Sequence, residues 1–257
     1  MALYDLPFEV KVGLNLSFYR TFAIPRIAQL LARTGEIERR PEKRAMDTGL
    51  LMYELIDSGP RSERGRQVIR MLNAMHRRWP IAEEDYAYVL ATFIVPTCRW
   101  IDAYGWRDTT AEEREAITAF YREVGRLMGI RRLPASYQEA EAILDGYEAE
   151  RLRASPEGTA LMTATAGVLA DRLPRPARRF GPSLTALMLD DPLCDALGMV
   201  RPGKLGRLAF RWCMLLRGVV VRRRPRRQEP TFRPGRSGSS VYPDGYQLGD
   251  LGVDSSR

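Results

Sequence analysis

His76 is the only histidine in the 257 residues, and it falls on the apolar face of a helix predicted over 62–79. The stripe reads Gly65, Val68, Ile69, Leu72, Met75, His76 and Trp79, the i, i+3, i+4, i+7 recurrence of a helix that faces a core. An imidazole in such a place needs a hydrogen-bond partner or a metal, because burying it unpaired costs about 1–3 kcal/mol. On the preceding predicted helix, Arg44 and Thr48 share a face with Leu51 and Leu55. A cation and a hydroxyl thus stand where apolar residues are expected. Two neighbouring helices aim polar groups inward, and chemistry is to be sought between them.

One histidine narrows that chemistry. It excludes a three-histidine zinc centre and an iron site of two histidines and a carboxylate. There is no GxGxxG after a strand, no P-loop and no GxSxG. No serine sits in a nucleophile turn, and Cys98, flanked by Val95, Pro96 and Trp100, reads as core. Cys98, Cys194 and Cys213 are too scattered for a disulfide framework or a zinc site and fit a reducing compartment. What a lone histidine can do is hold a haem iron through one axial bond, since the porphyrin supplies four other ligands. Met71, Met75, Trp79, Phe93 and Trp100 could line the apolar slot. Arg77 or Arg78 could meet a propionate, with Arg44 and Thr48 on the opposite side of the iron. The alternative is a core histidine bonded to a carbonyl or a carboxylate. For Arg44 and Thr48 the alternative is a guanidinium reaching for solvent and a hydroxyl bonded to its own helix. Glu54 and Asp57 read as a solvated carboxylate pair.

The elements that must position these groups are helical nearly throughout. A first helix is predicted over 16–34, kinked or divided at Pro25 and stopped by Gly35. A second follows Pro41 and ends at Ser58-Gly59-Pro60; the third carries His76 and stops at Pro80. A fourth is predicted over 83–104, interrupted at Pro96. Thr109 or Thr110 opens a fifth that runs to Met128, and the Ser136–Glu139 box opens a sixth. Pro156 sits in the first turn of a seventh reaching 173, followed by short helices near 182–189 and 192–197. An amphipathic helix is predicted over 204–221. No stretch alternates like a strand. The expected fold is an all-α, single-domain helical bundle over 1–222, with a low-complexity basic tail over 223–257 that is disordered or loosely draped over the domain.

At 45% apolar residues the composition is that of a soluble globular protein. The net charge of +8 is uneven: ten basic residues and no acidic one lie between Arg201 and Arg227, and the rest is close to neutral. The high pI therefore belongs to one segment and does not make the domain a nucleic-acid binder. Aromatics interleaved for base stacking are missing there, so no nucleic acid is expected. Leu205, Leu208, Trp212, Leu215 and Val219 share one side of the 204–221 helix, which runs into Arg222-Arg-Arg-Pro-Arg-Arg. Such a helix either lies in an anionic membrane interface or docks on the bundle. The N-terminus lacks a basic start followed by an apolar run. The longest uncharged apolar stretch, 86–98, is short of the roughly 20 residues that span a bilayer. A cytoplasmic protein is expected, with peripheral membrane contact through 204–227.

Four stretches resemble the MpaB/latex-clearing-protein family of haem oxygenases, all-helical proteins that cleave carbon–carbon double bonds of isoprenoids with O₂. They are Phe18-Tyr-Arg-Thr-Phe-Ala-Ile-Pro-Arg-Ile-Ala-Gln-Leu-Leu-Ala, Arg44-Ala-Met-Asp-Thr48, Asn73-Ala-Met-His76-Arg and Trp100-Ile-Asp-Ala-Tyr-Gly-Trp106. The resemblance covers about residues 14–150 and, more weakly, the chain to Tyr246. It implies haem b as cofactor and His76 as the proximal iron ligand, beside which the slot reading above sets Met75 and Arg77. It also implies Arg44 and Thr48 as distal, catalytic residues, with a small apolar substrate and O₂. Two features depart from it. The rubber oxygenases carry a lysine just before the threonine, where this chain has Asp47, a poor ligand for ferrous haem that would leave the distal side open. They also place a glutamate on the preceding helix, where this chain has Ala28 and then Gln29. The rival class is a cofactor-free helical interaction protein that docks to membranes or acidic partners through 201–227.

Overall fold

Proline sets where helices start. Pro7, Pro25, Pro41 and Pro156 each occupy a first turn, where the missing N–H costs nothing. In the computed structural model, which describes residues 1–171, 175–236 and 240–252, these open α1 (Pro7–Phe22), α2 (Pro25–Thr34), α4 (Pro41–Ser58) and α9 (Pro156–Asp171). The helix expected over 16–34 is divided at Pro25, as its proline allowed, and begins earlier, at Pro7. A one-turn α3 (Glu36–Arg39) follows Gly35, whose φ of 65° suits glycine. Ser62 caps α5 (Glu63–His76) by accepting from the Gly65 amide at 2.9 Å. Thr110 and Glu113 form a reciprocal cap on α7 (Ala111–Leu127), and Ser136 caps α8 (Tyr137–Arg151). After α9 come a 3-10 turn (Arg175–Phe180), α10 (Gly181–Ala186), α11 (Asp191–Ala196) and α12 (Lys204–Arg222). The seventh predicted helix was to reach 173, which lies outside the described residues. No strand occurs among the described residues, so the chain is all-α.

At the centre lies α6 (Glu83–Tyr104), packed on α1, α7, α8 and α12. Pro96 does not interrupt it. Proline leaves the Thr92 carbonyl without its usual donor, and the Ser17 hydroxyl of α1 donates to that oxygen instead. The approach is tight: a Cβ on Gly13 would lie 2.7 Å from the Thr97 Cα.

Two cores flank this crossing. One is built by α4, α5, α6, α7 and α8, with Leu55, Val68, Ile94 and Leu144 fully enclosed. The other joins α1, α2 and α9 to α12 and holds Trp100, which packs on Tyr104 and Phe210. Trp100 therefore does not line a slot beside His76.

The described residues of the tail are not disordered but lie over the domain, the other of the two expectations. Phe232, Tyr246 and Leu251 are buried in the first core, and Phe232 stacks on Tyr53 of α4 at 5.4 Å. Tyr246 donates to Glu54 at 2.6 Å. Composition suggested disorder because Arg, Pro, Gly and Ser dilute the segment. A few aromatics spaced along it suffice to anchor it where α4 presents carboxylates. Residues 237–239 and 253–257 lie outside the described part.

Candidate functional site

His76 is the last residue of α5, short of the predicted end at 79. Its Nδ1 lies 2.7 Å from the Leu72 carbonyl one turn back, so Nδ1 carries the proton and Nε2 keeps a free lone pair. Burial holds the imidazole below its ordinary pKa of 6.5, and the positive charge of Arg44 pushes the same way, against the Leu72 hydrogen bond. The ring is neutral at pH 7. A helix C-terminus by itself favours a charged histidine; here desolvation wins. The Tyr86 ring of α6 lies 5.8 Å away, tilted by 52°.

A partly open cavity of about 170 Å³ adjoins the ring, lined by Asn73, His76, Arg77, Tyr86 and Met128. Asn73 is fixed by donating to the Leu127 carbonyl at 3.3 Å. Of the residues expected here, Arg77 lines this cavity while its side chain is exposed, and Met75 is half-buried against the tail. Arg78 is exposed. Phe93 lies elsewhere, stacked on Tyr121 at 5.4 Å. Tyr86, Asn73 and Met128 were not foreseen as a group. Asn73 stood in the quoted motif, but nothing in the spacing ties Tyr86 or Met128 to a helix that precedes them in the chain.

On α4, Arg44 does not reach for solvent. It is enclosed by protein, and desolvation holds its guanidinium below the usual arginine range, opposed by the fields of Asp47 and Glu36. Among the described residues no carboxylate forms an ion pair with it. Its guanidinium donates to the Thr48 hydroxyl, which donates in turn to the Arg44 carbonyl at 3.0 Å. Thr48 is therefore bonded to its own helix, as the structural alternative held, and is also clamped by the arginine.

Asp47 is not available to an iron. Both its oxygens are taken, by Lys43 at 2.7 Å, Tyr242 at 2.6 Å and the Gly252 amide at 3.0 Å. Glu54 is fully buried, held by Arg64 and Tyr246, and so is not the solvated partner of Asp57 that the sequence suggested. Ala28 is buried in the second core and Gln29 is exposed, so neither places a base at this site. Cys98 is core as expected, its thiol pushed up to about 12 by burial. No group of three or more metal-ligating side chains occurs among the described residues.

The donors fit a haem. One neutral imidazole offers a free Nε2 and is oriented by a carbonyl on its other nitrogen, the arrangement that raises ligand basicity. One enclosed guanidinium lacks a carboxylate of its own. The His76 cavity alone is narrower than a porphyrin. A macrocycle needs space on the α4 side as well, where Arg44 keeps accessible surface despite being surrounded by protein.

Comparison with known proteins agrees with these motifs. Residues 12–218 match the family described as ER-bound oxygenase mpaB/B'/rubber oxygenase, catalytic domain. The chain is 27% identical over 241 residues to ER-bound oxygenase mpaB' of Penicillium brevicompactum, covering 86% of this chain and 57% of that protein. It is 29% identical over 216 residues to ER-bound oxygenase mpaB of Penicillium roqueforti, covering 76% and 72% respectively. The chain thus spans little more than half the length of the first of these relatives.

Proposed function

The chain belongs to the family of mpaB and rubber oxygenase catalytic domains, and on that premise we propose that it is a haem b-dependent oxygenase. It uses O₂ to oxidise a small apolar substrate by cleaving a carbon–carbon double bond. The observation that carries this reading is the His76 imidazole, half-buried beside a cavity and bonded through Nδ1 so that Nε2 is free. Haem, when bound, supplies the capture and activation of O₂.

The chain's own residues do the rest. His76 binds the iron, and the Leu72 carbonyl fixes its tautomer and ring orientation. Tyr86 and Met128 line the same cavity and supply its apolar wall. Arg77 stands at the cavity to meet a propionate, and Met75, one residue before the iron ligand, is held by the tail at Gly252. Arg44 provides a fixed positive charge in a desolvated setting, where it acts more strongly on a developing anion than it would in water. It also holds the Thr48 hydroxyl in place. Both are the catalytic residues of this reading.

The substrate is delivered from a membrane surface. The relatives are named ER-bound, and no described helix is long and apolar enough to cross a bilayer. Instead α12 docks through Met214, Gly218 and the Arg217–Glu9 ion pair at 2.6 Å. It leaves Leu205, Leu208, Trp212, Leu215 and Val219 between 39% and 83% exposed. The stripe picked out in the sequence thus faces away from the bundle, beside exposed Lys204, Arg211 and Arg222.

An absorption spectrum tests the central claim. Protein produced with haem should show a Soret band that His76→Ala abolishes while the helical circular dichroism remains. Colourless wild-type protein that takes up no added haem would overturn it.

A further inference from the structure

We propose that a second cavity, between α6, α7, the end of α4 and the N-terminal residues, binds a small apolar molecule bearing one hydrogen-bond acceptor, which the Tyr121 hydroxyl receives. The cavity, partly open like the first, measures about 210 Å³, and its walls, which include Val10, Ile56, Phe93, Ile117 and Phe120, are almost wholly apolar. A dry cavity of ~150 Å³ is enough to bind benzene, so this one suits roughly eight carbons.

The polar side chains at its wall are otherwise occupied. Thr97 donates to the Phe93 carbonyl at 3.0 Å, and the Glu113 carboxylate is held by Arg107 at 2.7 Å and by the Thr110 amide. Tyr121 differs. It is 5% exposed, its ring is stacked on Phe93 and set edge-on to Phe120, and its hydroxyl has no hydrogen-bond partner among the described residues. Burial pushes its pKa upward, so it remains a donor. The hydroxyl keeps accessible surface at the cavity wall, where a ligand carbonyl or alcohol oxygen can accept from it.

Position gives the site a use. Phe93 stands seven residues after Tyr86 on α6, and Met128 seven residues after Tyr121 on α7. Met128 being the cap of α7, a lining residue of this cavity and one of the His76 cavity thus stand two turns, about 10 Å of helix rise, apart on each of the two helices. The cavity seats the far end of a substrate whose reacting part lies at His76. That role rests on the oxygenase reading; the binding itself does not.

The test uses 2-octanone as probe on the full chain, with affinity read by calorimetry and 1-octene as the analogue without an acceptor. Ile117→Trp or, should that fail to fold, Ile56→Phe fills the cavity and should weaken 2-octanone at least tenfold. Tyr121→Phe should weaken 2-octanone about fivefold and leave 1-octene unchanged. His76→Ala should leave both unchanged. Wild-type affinity in the filled variants, equal loss of both probes in Tyr121→Phe, or loss in His76→Ala would each overturn the proposal. A protein that binds no haem yet binds 2-octanone in this pattern would refute the oxygenase reading and leave the site standing.

Discussion

The phenol of Tyr242 donates to Asp47 Oδ1 across 2.6 Å, and the Gly252 amide donates to the other oxygen of the same carboxylate at 3.0 Å. The tail is thereby tied to α4 one residue before Thr48. Gly252 also closes on Met75, where a Cβ would come within 2.9 Å of the sulfur, so the strap reaches both helices of the candidate site. Removing one partner of a buried ion pair costs several kcal/mol. Asp47→Ala, which strands Lys43, should destabilise the protein by about 3 kcal/mol in urea unfolding. Tyr242→Phe should cost only about 1 kcal/mol and speed hydrogen exchange at the Gly252 amide. Unchanged exchange in Tyr242→Phe would mean the strap is held by other contacts.

A second tie makes the strap sensitive to acid. Burial alone would raise the Glu54 carboxyl, but hydrogen bonds from Arg64 and Tyr246 prevail and hold it below 4.5. A carboxyl depressed in the folded state stabilises above its unfolded pKa, and that stability is lost as pH falls through the folded value. Stability should therefore drop as pH falls below about 4.5. Glu54→Gln should be less stable at pH 7 and show a shallower acid slope. An acid slope identical to wild type would remove Glu54 from this role.

The single histidine makes its own titration visible without assignment. The His76 C2 proton should titrate with a midpoint below 6.5, because burial and Arg44 both disfavour the cation. Between the folded midpoint and 6.5 the unfolded chain binds more protons, so stability contributed by the neutral ring is full above 6.5 and falls as pH drops beneath it. Arg44→Met should move the midpoint upward. A midpoint unmoved by that substitution would show that the charge of Arg44 is not felt at the imidazole.

The α1–α6 crossing should tolerate little. Ser17→Ala leaves the Thr92 carbonyl beside Pro96 without a donor and should cost about 1–3 kcal/mol in thermal or denaturant unfolding. Gly13→Ala drives a methyl into the Thr97 backbone and should cost about 1–3 kcal/mol as well. A neutral Gly13→Ala would mean the helices can part without loss.

The exposed face of α12 should bind anionic vesicles more strongly than neutral ones, with the difference shrinking in high salt. Trp212→Gln with Leu216→Gln should reduce co-sedimentation at least tenfold and leave unfolding unchanged, because neither side chain packs on the bundle. Binding that survives the double variant would assign any membrane contact to another surface.

Much of this fold could be read along the chain. Capping residues, first-turn prolines and the 3.6-residue recurrence gave the helices because those signals act within a few residues of one another. His76 could be singled out for the same reason: a lone imidazole on an apolar stripe is a local anomaly. The family resemblance likewise rests on short motifs in order. Only the tertiary structure decided where side chains found partners far away in sequence. Asp47 and Glu54 look like solvent-facing or iron-facing carboxylates until Tyr242 and Tyr246, some 190 residues later, arrive to hold them. Pro96 looks like a break until the Ser17 hydroxyl satisfies the carbonyl it orphans. Composition left the tail between disorder and a loose drape, and a few buried aromatics decide its position. The apolar stripe of α12 was legible, but not which way it faces. That depends on which side of the helix the bundle could fill, and Met214 and Gly218 on the opposite side offered the closer approach.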